Sequence, residues 1–390
     1  MPTLILRPLK KIWALPTQMR LFSSEATAAA VANNVQRKRA VALRTPADPL
    51  SHTEKDIGHS YTIPESILSS FFSLGGIPKT YAENIKTFNE AAIMIRPHTI
   101  ELLNYLRKAN YAHPPIRYVL YGKPGCGKTM TITHVLHFAH LSGFIVAHIP
   151  WVWNWYRRSR IQAVSSESKP GLVNLPIEAM TWLKYFLSQN EEIIIKSNLR
   201  TSKEYVWSPR ETTPADSPLI ELIQHGIGRV KYACDVVDVL IDELKLNSTN
   251  NRCKMMIVID GFNAFFLPFS NLKKEDKSRV IPDQVTLAQT FFKAVQPDWC
   301  NGAVVVTVDQ FNTRDEQPQE TPLYLLKKRG LEVIDPFIPI EVPYLSTYEF
   351  HCLLDYYEDR LWIQRPGARE ELEFLSVKNP YELFKLCAPL

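Results

Sequence analysis

The chain has 390 residues, 45% of them apolar, and its 45 Lys and Arg against 40 Asp and Glu give a formal net charge of +5. That length and apolar content support a sizeable core and more than one domain, and no apolar run reaches the length needed to span a bilayer. Four of the net five positive charges, Arg7, Lys10, Lys11 and Arg20, lie in residues 1–22, so the basic pI is no argument for a broad nucleic-acid-binding face.

Residues 1–22 interleave those cations with Leu4, Ile5, Leu6, Leu9, Ile12, Trp13 and Leu15 and contain no acidic residue, the pattern of a mitochondrial transit peptide. Arg20-Leu-Phe-Ser23 suits a cut between Phe22 and Ser23, and the competing reading is an amphipathic surface helix. Residues 23–60, rich in Ala, Ser, Thr, Asn and charge, are expected to form an extended arm. In 61–115 the spacing of Ile85, Phe88, Ala92, Ile95, Ile100, Leu103 and Leu106 predicts a helical extension. From 116 to 344, short apolar runs at 118–121, 144–149, 255–259, 303–308 and 337–342 alternate with helical stretches, which predicts an α/β domain with a parallel sheet buried on both faces. Residues 345–390, broken by Pro366-Gly367 and Asn379-Pro380, predict a small helical C-terminal subdomain.

The segment Tyr118-Val-Leu-Tyr-Gly122-Lys123-Pro124-Gly125-Cys126-Gly127-Lys128-Thr129 sets a complete phosphate-binding loop between an apolar strand and a helix. Its glycines let successive N–H groups turn toward phosphate oxygens, and the helix that follows adds its positive end. Lys128 would reach the terminal phosphates and Thr129 would offer a hydroxyl to Mg²⁺. The chain has only 14 glycines, yet three fall in this octet, which makes a chance match improbable. Met255-Met-Ile-Val-Ile-Asp260 reads as the second nucleotide motif, a strand ending in an aspartate that holds the metal beside Thr129. The glutamate that activates water in many such ATPases is replaced by Gly261, and Asn263, the next polar residue, orients water but takes no proton, so hydrolysis is expected to be weak or absent. Thr307 and Asp309 stand where related folds sense the γ-phosphate, or where a strand simply ends in a turn.

Other patterns are weaker. No Asn-Lys-x-Asp tetrapeptide marks guanine specificity. The six cysteines are scattered without C-x-x-C spacing, which argues against a zinc knuckle or a disulfide framework. His134, His137 and His140 recur every three residues, but that step drifts around a helix and no carboxylate joins them as a metal ligand. Trp151, Trp153, Trp155 and Tyr156 run into Arg157, Arg158 and Arg160 and read either as a partner-binding surface or as core.

Several stretches together carry a family resemblance: the phosphate loop 118–129, Glu-Tyr-Val-Trp (204–207), Val-Ile-Asp-Gly-Phe-Asn-Ala (258–264), Leu-Lys-Lys-Glu-Asp-Lys-Ser (272–278), Asp-Pro-Phe-Ile-Pro-Ile (335–340) and Phe-Leu-Ser-Val-Lys-Asn-Pro (374–380). From about Tyr61 to Leu390 the chain resembles the mitochondrial small-ribosomal-subunit GTP-binding proteins, also called the death-associated protein three family. The resemblance implies an AAA-like P-loop NTPase fold in the mitochondrial matrix, seated in the head of the small ribosomal subunit among its proteins and ribosomal RNA, with the large subunit across the interface. It implies GTP or GDP with Mg²⁺ on Gly122, Lys123, Pro124, Gly125, Cys126, Gly127, Lys128, Thr129 and Met130, held as a structural ligand. A GTPase switch in subunit assembly and a free ATP-binding cell-death protein are the alternatives. Lys123, Pro124 and Cys126 fill variable loop positions and leave Gly127-Lys128-Thr129 intact.

Overall fold

The computed structural model describes residues 41–157, 163–274, 276–310, 319–365 and 367–388. The expected transit segment 1–22, the part of the expected arm at 23–40, and Arg158 and Arg160 lie outside the described residues, all of which fall in the unit Val41–Leu390.

In chain order come strand β1 (Ser60–Thr62), helices α1 (Glu65–Phe72) and α2 (Lys79–Phe88), β2 (Ala92–Met94), α3 (Pro97–Lys108), β3 (Ile116–Tyr121), α4 (Lys128–Leu141), β4 (Phe144–Ile149) and α5 (Trp153–Arg157). Short strands β5 (Val164–Ser165) and β6 (Val173–Asn174) precede α6 (Pro176–Lys196), the hairpin β7 (Tyr205–Ser208) and β8 (Glu211–Thr213), α7 (Leu219–Gly228) and α8 (Ala233–Thr249). Then follow β9 (Lys254–Ile259), α9 (Thr286–Ala294), β10 (Gly302–Thr307), α10 (Pro322–Ile334), β11 (Ile338–Glu341), α11 (Thr347–Asp359), α12 (Ala368–Ser376) and α13 (Pro380–Cys387).

The five apolar runs form one sheet in the order β11-β3-β10-β9-β4, every pair parallel. Strands β4 and β10 are buried at every position, which is why their sequences run apolar without alternation. The period of two still divides their side chains. Val304 and Val306 join the cluster under α6 and α8, and Ala303 and Val305 join the cluster under α3 and α4. This is the expected α/β architecture with a parallel sheet buried on both faces, and β10 is inserted between the strand that leads into the phosphate loop and the strand that ends at Asp260. The C-terminal helices gather on a third cluster around Phe350, Leu354, Tyr357 and Leu383.

Strand β4 ends the sheet, and its outer backbone groups are met by side chains of α6. Asn190, 1% exposed, accepts from Val146 N at 2.7 Å and donates to Val146 O at 2.9 Å, and Trp182 Nε1 donates to His148 O at 2.9 Å. At the opposite edge, β11 carries the exposed Pro339, which has no N–H to present.

Two regions differ from the sequence reading. The expected helical run through Ile85 and Ile95 is cut at Asn89, which adopts a left-handed φ of 51° and ends α2, so Ala92–Met94 form a strand paired with β1. Residues 41–60, expected as part of an extended arm, lie against the body. His52 is 1% exposed, with Nδ1 3.0 Å from His134 Nε2, and the Arg107 guanidinium donates to the carbonyls of Pro49, Leu50 and His52. Such backbone-directed contacts leave no hydrophobic period to read.

His134 and His137 are buried beside Tyr61, and among the described residues no three or more His, Cys, Asp and Glu side chains gather as a metal-binding group. Burial holds His98 and His134 well below the usual imidazole range and lowers His137 to about 4 and His148 to about 3. These groups stay neutral in the fold but take a proton near pH 6.5 when unfolded. Stability is therefore fully present above about pH 6.5 and falls as pH drops toward 4, by on the order of 1.4 kcal/mol per pH unit for each such histidine. Urea unfolding at about pH 7.5 and about pH 5.5 should give the lower midpoint at the lower pH, and equal midpoints would refute this. Asn190→Leu, which leaves the Val146 N–H and C=O buried without partners, should cost roughly 3 kcal/mol in the same assay; a loss under about 1 kcal/mol would mean the edge is sealed by other means.

Candidate nucleotide site

The phosphate loop runs from the end of β3 into α4, and three of its residues have backbones that favour glycine. Gly122, Gly125 and Gly127 have φ of 146°, 79° and 107°. A Cβ at Gly122 would stand 2.3 Å from Val342 O, and one at Gly125 would stand 2.7 Å from Asn379 Oδ1. The loop is thus curled by its own glycines and hemmed in by the C-terminal part of the chain.

Lys128, 5% exposed, opens α4 and donates from Nζ to Gly122 O at 2.8 Å and Lys123 O at 3.2 Å, with Asp309 Oδ2 at 3.6 Å. Thr129 Oγ1 donates to Asp260 Oδ2 at 2.8 Å. Asp260 Oδ1 accepts from Thr307 Oγ1 at 2.5 Å, and Thr307 Oγ1 accepts in turn from Gly261 N at 2.8 Å. Burial raises the Asp260 carboxyl to about 6 against the pull of the Thr307 and Thr129 hydroxyls, with Asp309 adding to the rise and Lys128 opposing it. This shift favours the fold at low pH, one carboxyl against several imidazoles.

Asn263, expected as a water-orienting group, turns both ends of its amide to Asp309: Nδ2 donates to Asp309 O at 2.9 Å and Oδ1 accepts from Asp309 N at 3.0 Å. It braces the turn that follows β10. Cys126 is buried and its thiol is pushed up by that burial, Lys123 Nζ lies 5.6 Å from the Tyr344 ring centroid, and Met130 is half-buried in the first turn of α4.

A cavity of about 490 Å³ opens over the loop, within the usual range for ligand sites. Gly125 to Thr131 and Asp309 line its polar end, and Phe88, Ala92, Met94, Tyr356 and Phe384 line an apolar end. Trp151 also lines it, while Trp155 and Tyr156 are buried among Phe265 and Phe291, so much of the aromatic face faces the core.

The residues present fit a Mg²⁺-bound nucleotide: glycine backbones free to curl, a buried lysine, and a hydroxyl and a carboxylate supplying hard oxygen ligands side by side. Two residues of the site carried no motif. Arg96, 8% exposed at the start of α3, donates to Cys126 O at 2.7 Å, Pro343 O at 3.0 Å, Tyr344 O at 3.3 Å and Glu349 Oε1 at 2.8 Å. Asn379 donates to Pro124 O at 3.2 Å. In the sequence Asn379-Pro380 reads only as a break between helices; in the structure Asn379 caps α13, and Ser346 and Glu349 form a capping box at the start of α11.

The family described as mitochondrial ribosomal death-associated protein 3 matches residues 93–386. The small ribosomal subunit protein mS29 of Bos taurus is 38% identical over 365 residues, covering 91% of this chain and 90% of that one, and its Mus musculus counterpart is 37% identical with 91% of each chain covered. The Neurospora crassa protein of the same name is 21% identical, covering 76% of this chain and 61% of its own length. A solved Aeropyrum pernix ORC2 protein aligns over 74% of this chain and 58% of its own at 15% identity, with a TM-score of 0.31. On the extent of the family match and the identity to the mammalian relatives, the chain belongs to the mitochondrial ribosomal death-associated protein 3 family.

Proposed function

We propose that this protein is a structural component of the small subunit of the mitochondrial ribosome, in the mitochondrial matrix, and that it holds a guanine nucleotide, GTP or GDP, with Mg²⁺ as a structural ligand that it hydrolyses little. The ribosomal part is supported by 38% and 37% identity to mammalian mS29 across nine-tenths of the chain. The nucleotide part rests on one observation above all: the Thr129 hydroxyl and the Asp260 carboxylate meet at 2.8 Å beside a glycine-curled loop and a buried lysine. The choice of guanine follows the family resemblance, since the apolar end of the cavity suits either purine.

In this reading the loop N–H groups and the start of α4 bind the phosphates, Lys128 neutralises their charge, and Thr129 and Asp260 hold the metal, which screens the phosphate oxygens when bound. Gly261 in place of a glutamate, and Asn263 committed to Asp309, leave the cavity poor in groups able to take a proton from water. Two carboxylates line the cavity, Glu90, paired with Arg44 and Arg360, and Asp309, 3.6 Å from the Lys128 ammonium; Asp309, beside the loop lysine, favours a second reading, a slow GTPase switch. Turnover stimulated by added ribosomal subunits would select that switch.

Mitochondrial extract sedimented through a sucrose gradient in Mg²⁺ should carry the chain with the small subunit and the monosome. A peak at the top of the gradient would turn the reading to a free nucleotide-binding protein. Lys128→Ala should weaken GDP binding by at least about 10-fold, the size of one lost charge-assisted hydrogen bond. At GDP about a hundred times the wild-type dissociation constant, the wild type should gain about 2.7 kcal/mol of stability and the variant much less. Equal ligand-induced stabilisation of the two proteins would count against a role for the loop.

A further inference from the structure

The phosphate loop is held from outside at two of its carbonyls. Asn379, 7% exposed, caps α13 by accepting at Oδ1 from Tyr381 N at 2.9 Å and Glu382 N at 3.4 Å, while its Nδ2 reaches the Pro124 carbonyl at 3.2 Å. Arg96 takes the Cys126 carbonyl at 2.7 Å. Each of these carbonyls belongs to a peptide unit that runs into a glycine, Gly125 or Gly127, both at positive φ. A planar trans peptide points its N–H opposite to its C=O. A donor that fixes the Pro124 carbonyl on the Asn379 side of the loop therefore turns the Gly125 N–H to the side away from Asn379. Peptides flanked by glycine rotate at low cost, so the loop sequence alone does not set that direction.

The chain reaches Asn379 by a strained route. Val377 and Lys378 are consecutive non-glycine residues in the left-handed region, with φ of 51° and 58°, and the β-branched Val377 is 69% exposed, so packing does not compensate it. The turn is held by local contacts: Val377 N to Glu373 O at 3.1 Å, Leu345 N to Lys378 O at 3.0 Å, and Lys378 Nζ to Thr347 Oγ1 at 2.8 Å. Its product is the placement of one amide against the loop. Tyr381 follows closely, its Cβ 2.9 Å from where a Gly125 Cβ would be.

We propose that Asn379 is a positioning residue for phosphate binding, which sets the Gly125 N–H toward the ligand and so couples the helical pair α12–α13 to nucleotide occupancy. The proposal rests on the nucleotide reading above. Coupling of this kind is reciprocal: nucleotide on the loop tightens the docking of α13, and loosening α13 weakens the nucleotide.

The test uses the full chain in Mg²⁺ buffer, with GDP and ADP as probes in calorimetric titrations. Asn379→Ser keeps a side-chain acceptor suited to the N-cap but its hydroxyl is one atom too short to replace the Nδ2 donor to Pro124, and Asn379→Asp removes that donor in an isosteric side chain. Expected are an unchanged melting temperature of the nucleotide-free Ser variant, nucleotide affinity about 5- to 10-fold weaker than wild type, and a larger loss in the Asp variant, whose charge repels phosphate. Hydrogen exchange at residues 377–384 should slow on adding nucleotide to the wild type and change little in the Ser variant. Wild-type affinity in both variants overturns the role of Asn379 and leaves the nucleotide reading standing. A weaker affinity matched by a lower nucleotide-free melting temperature in both variants assigns Asn379 to capping and also overturns it. A wild-type chain that binds neither GDP nor ADP overturns the nucleotide reading and this proposal together.

Discussion

Asp260 is a carboxylate sunk to 2% exposure at the end of β9, held by hydroxyls from Thr307 at the end of β10 and Thr129 in the first turn of α4. A buried acid in this position is tolerable only while those donors stay in place. They stay because β10 lies between β3 and β9 in parallel register, with Thr307 opposite Leu120 and Val306 opposite Ile259, so the three strands end at one level. A slip of β10 by one residue would turn Thr307 to the other face and strand the carboxylate. The register of the sheet, the position of the glycine loop and the chemistry of the acid are a single constraint.

Around that point the cavity is completed by parts distant in sequence. Phe88, Ala92 and Met94 come from the region ahead of the sheet, and Tyr356, Tyr381 and Phe384 from the helices behind it. Arg96 joins the two sides, since its guanidinium meets the loop at Cys126 and the α11 capping box at Glu349. A ligand lodged there would touch all three regions at once, which gives a bound nucleotide a structural purpose even without turnover.

Much of this was legible in the sequence because it is local. The apolar runs of the sheet, the glycine spacing of the loop and the strand ending in Asp260 are each written within a dozen residues. The resemblance added the family, and the match at 93–386 agrees with it. The illegible parts depend on long-range geometry. Arg96 and Glu349 are 253 positions apart and Asn379 and Pro124 are 255 apart, and neither pair leaves a periodic trace. The hydrophobic spacing from Ile85 to Ile95 was misleading because one residue, Asn89, adopts a left-handed backbone that a period count cannot register. Asn263 kept the right location, but its polarity serves a neighbouring turn.

The two margins of the sheet bear on how neighbours can hold this protein. At β4 the outward N–H and C=O of Val146 are consumed by Asn190, and at β11 a proline interrupts the row of donors. A sheet sealed in this way offers little backbone template for an incoming strand, so pairing of the kind that drives donor-strand exchange or fibre growth is blocked at both ends. Recognition at either margin of this sheet must then be read from side chains on the helices and loops around it. A side-chain contact at such a margin can accordingly be altered one residue at a time without unzipping the sheet.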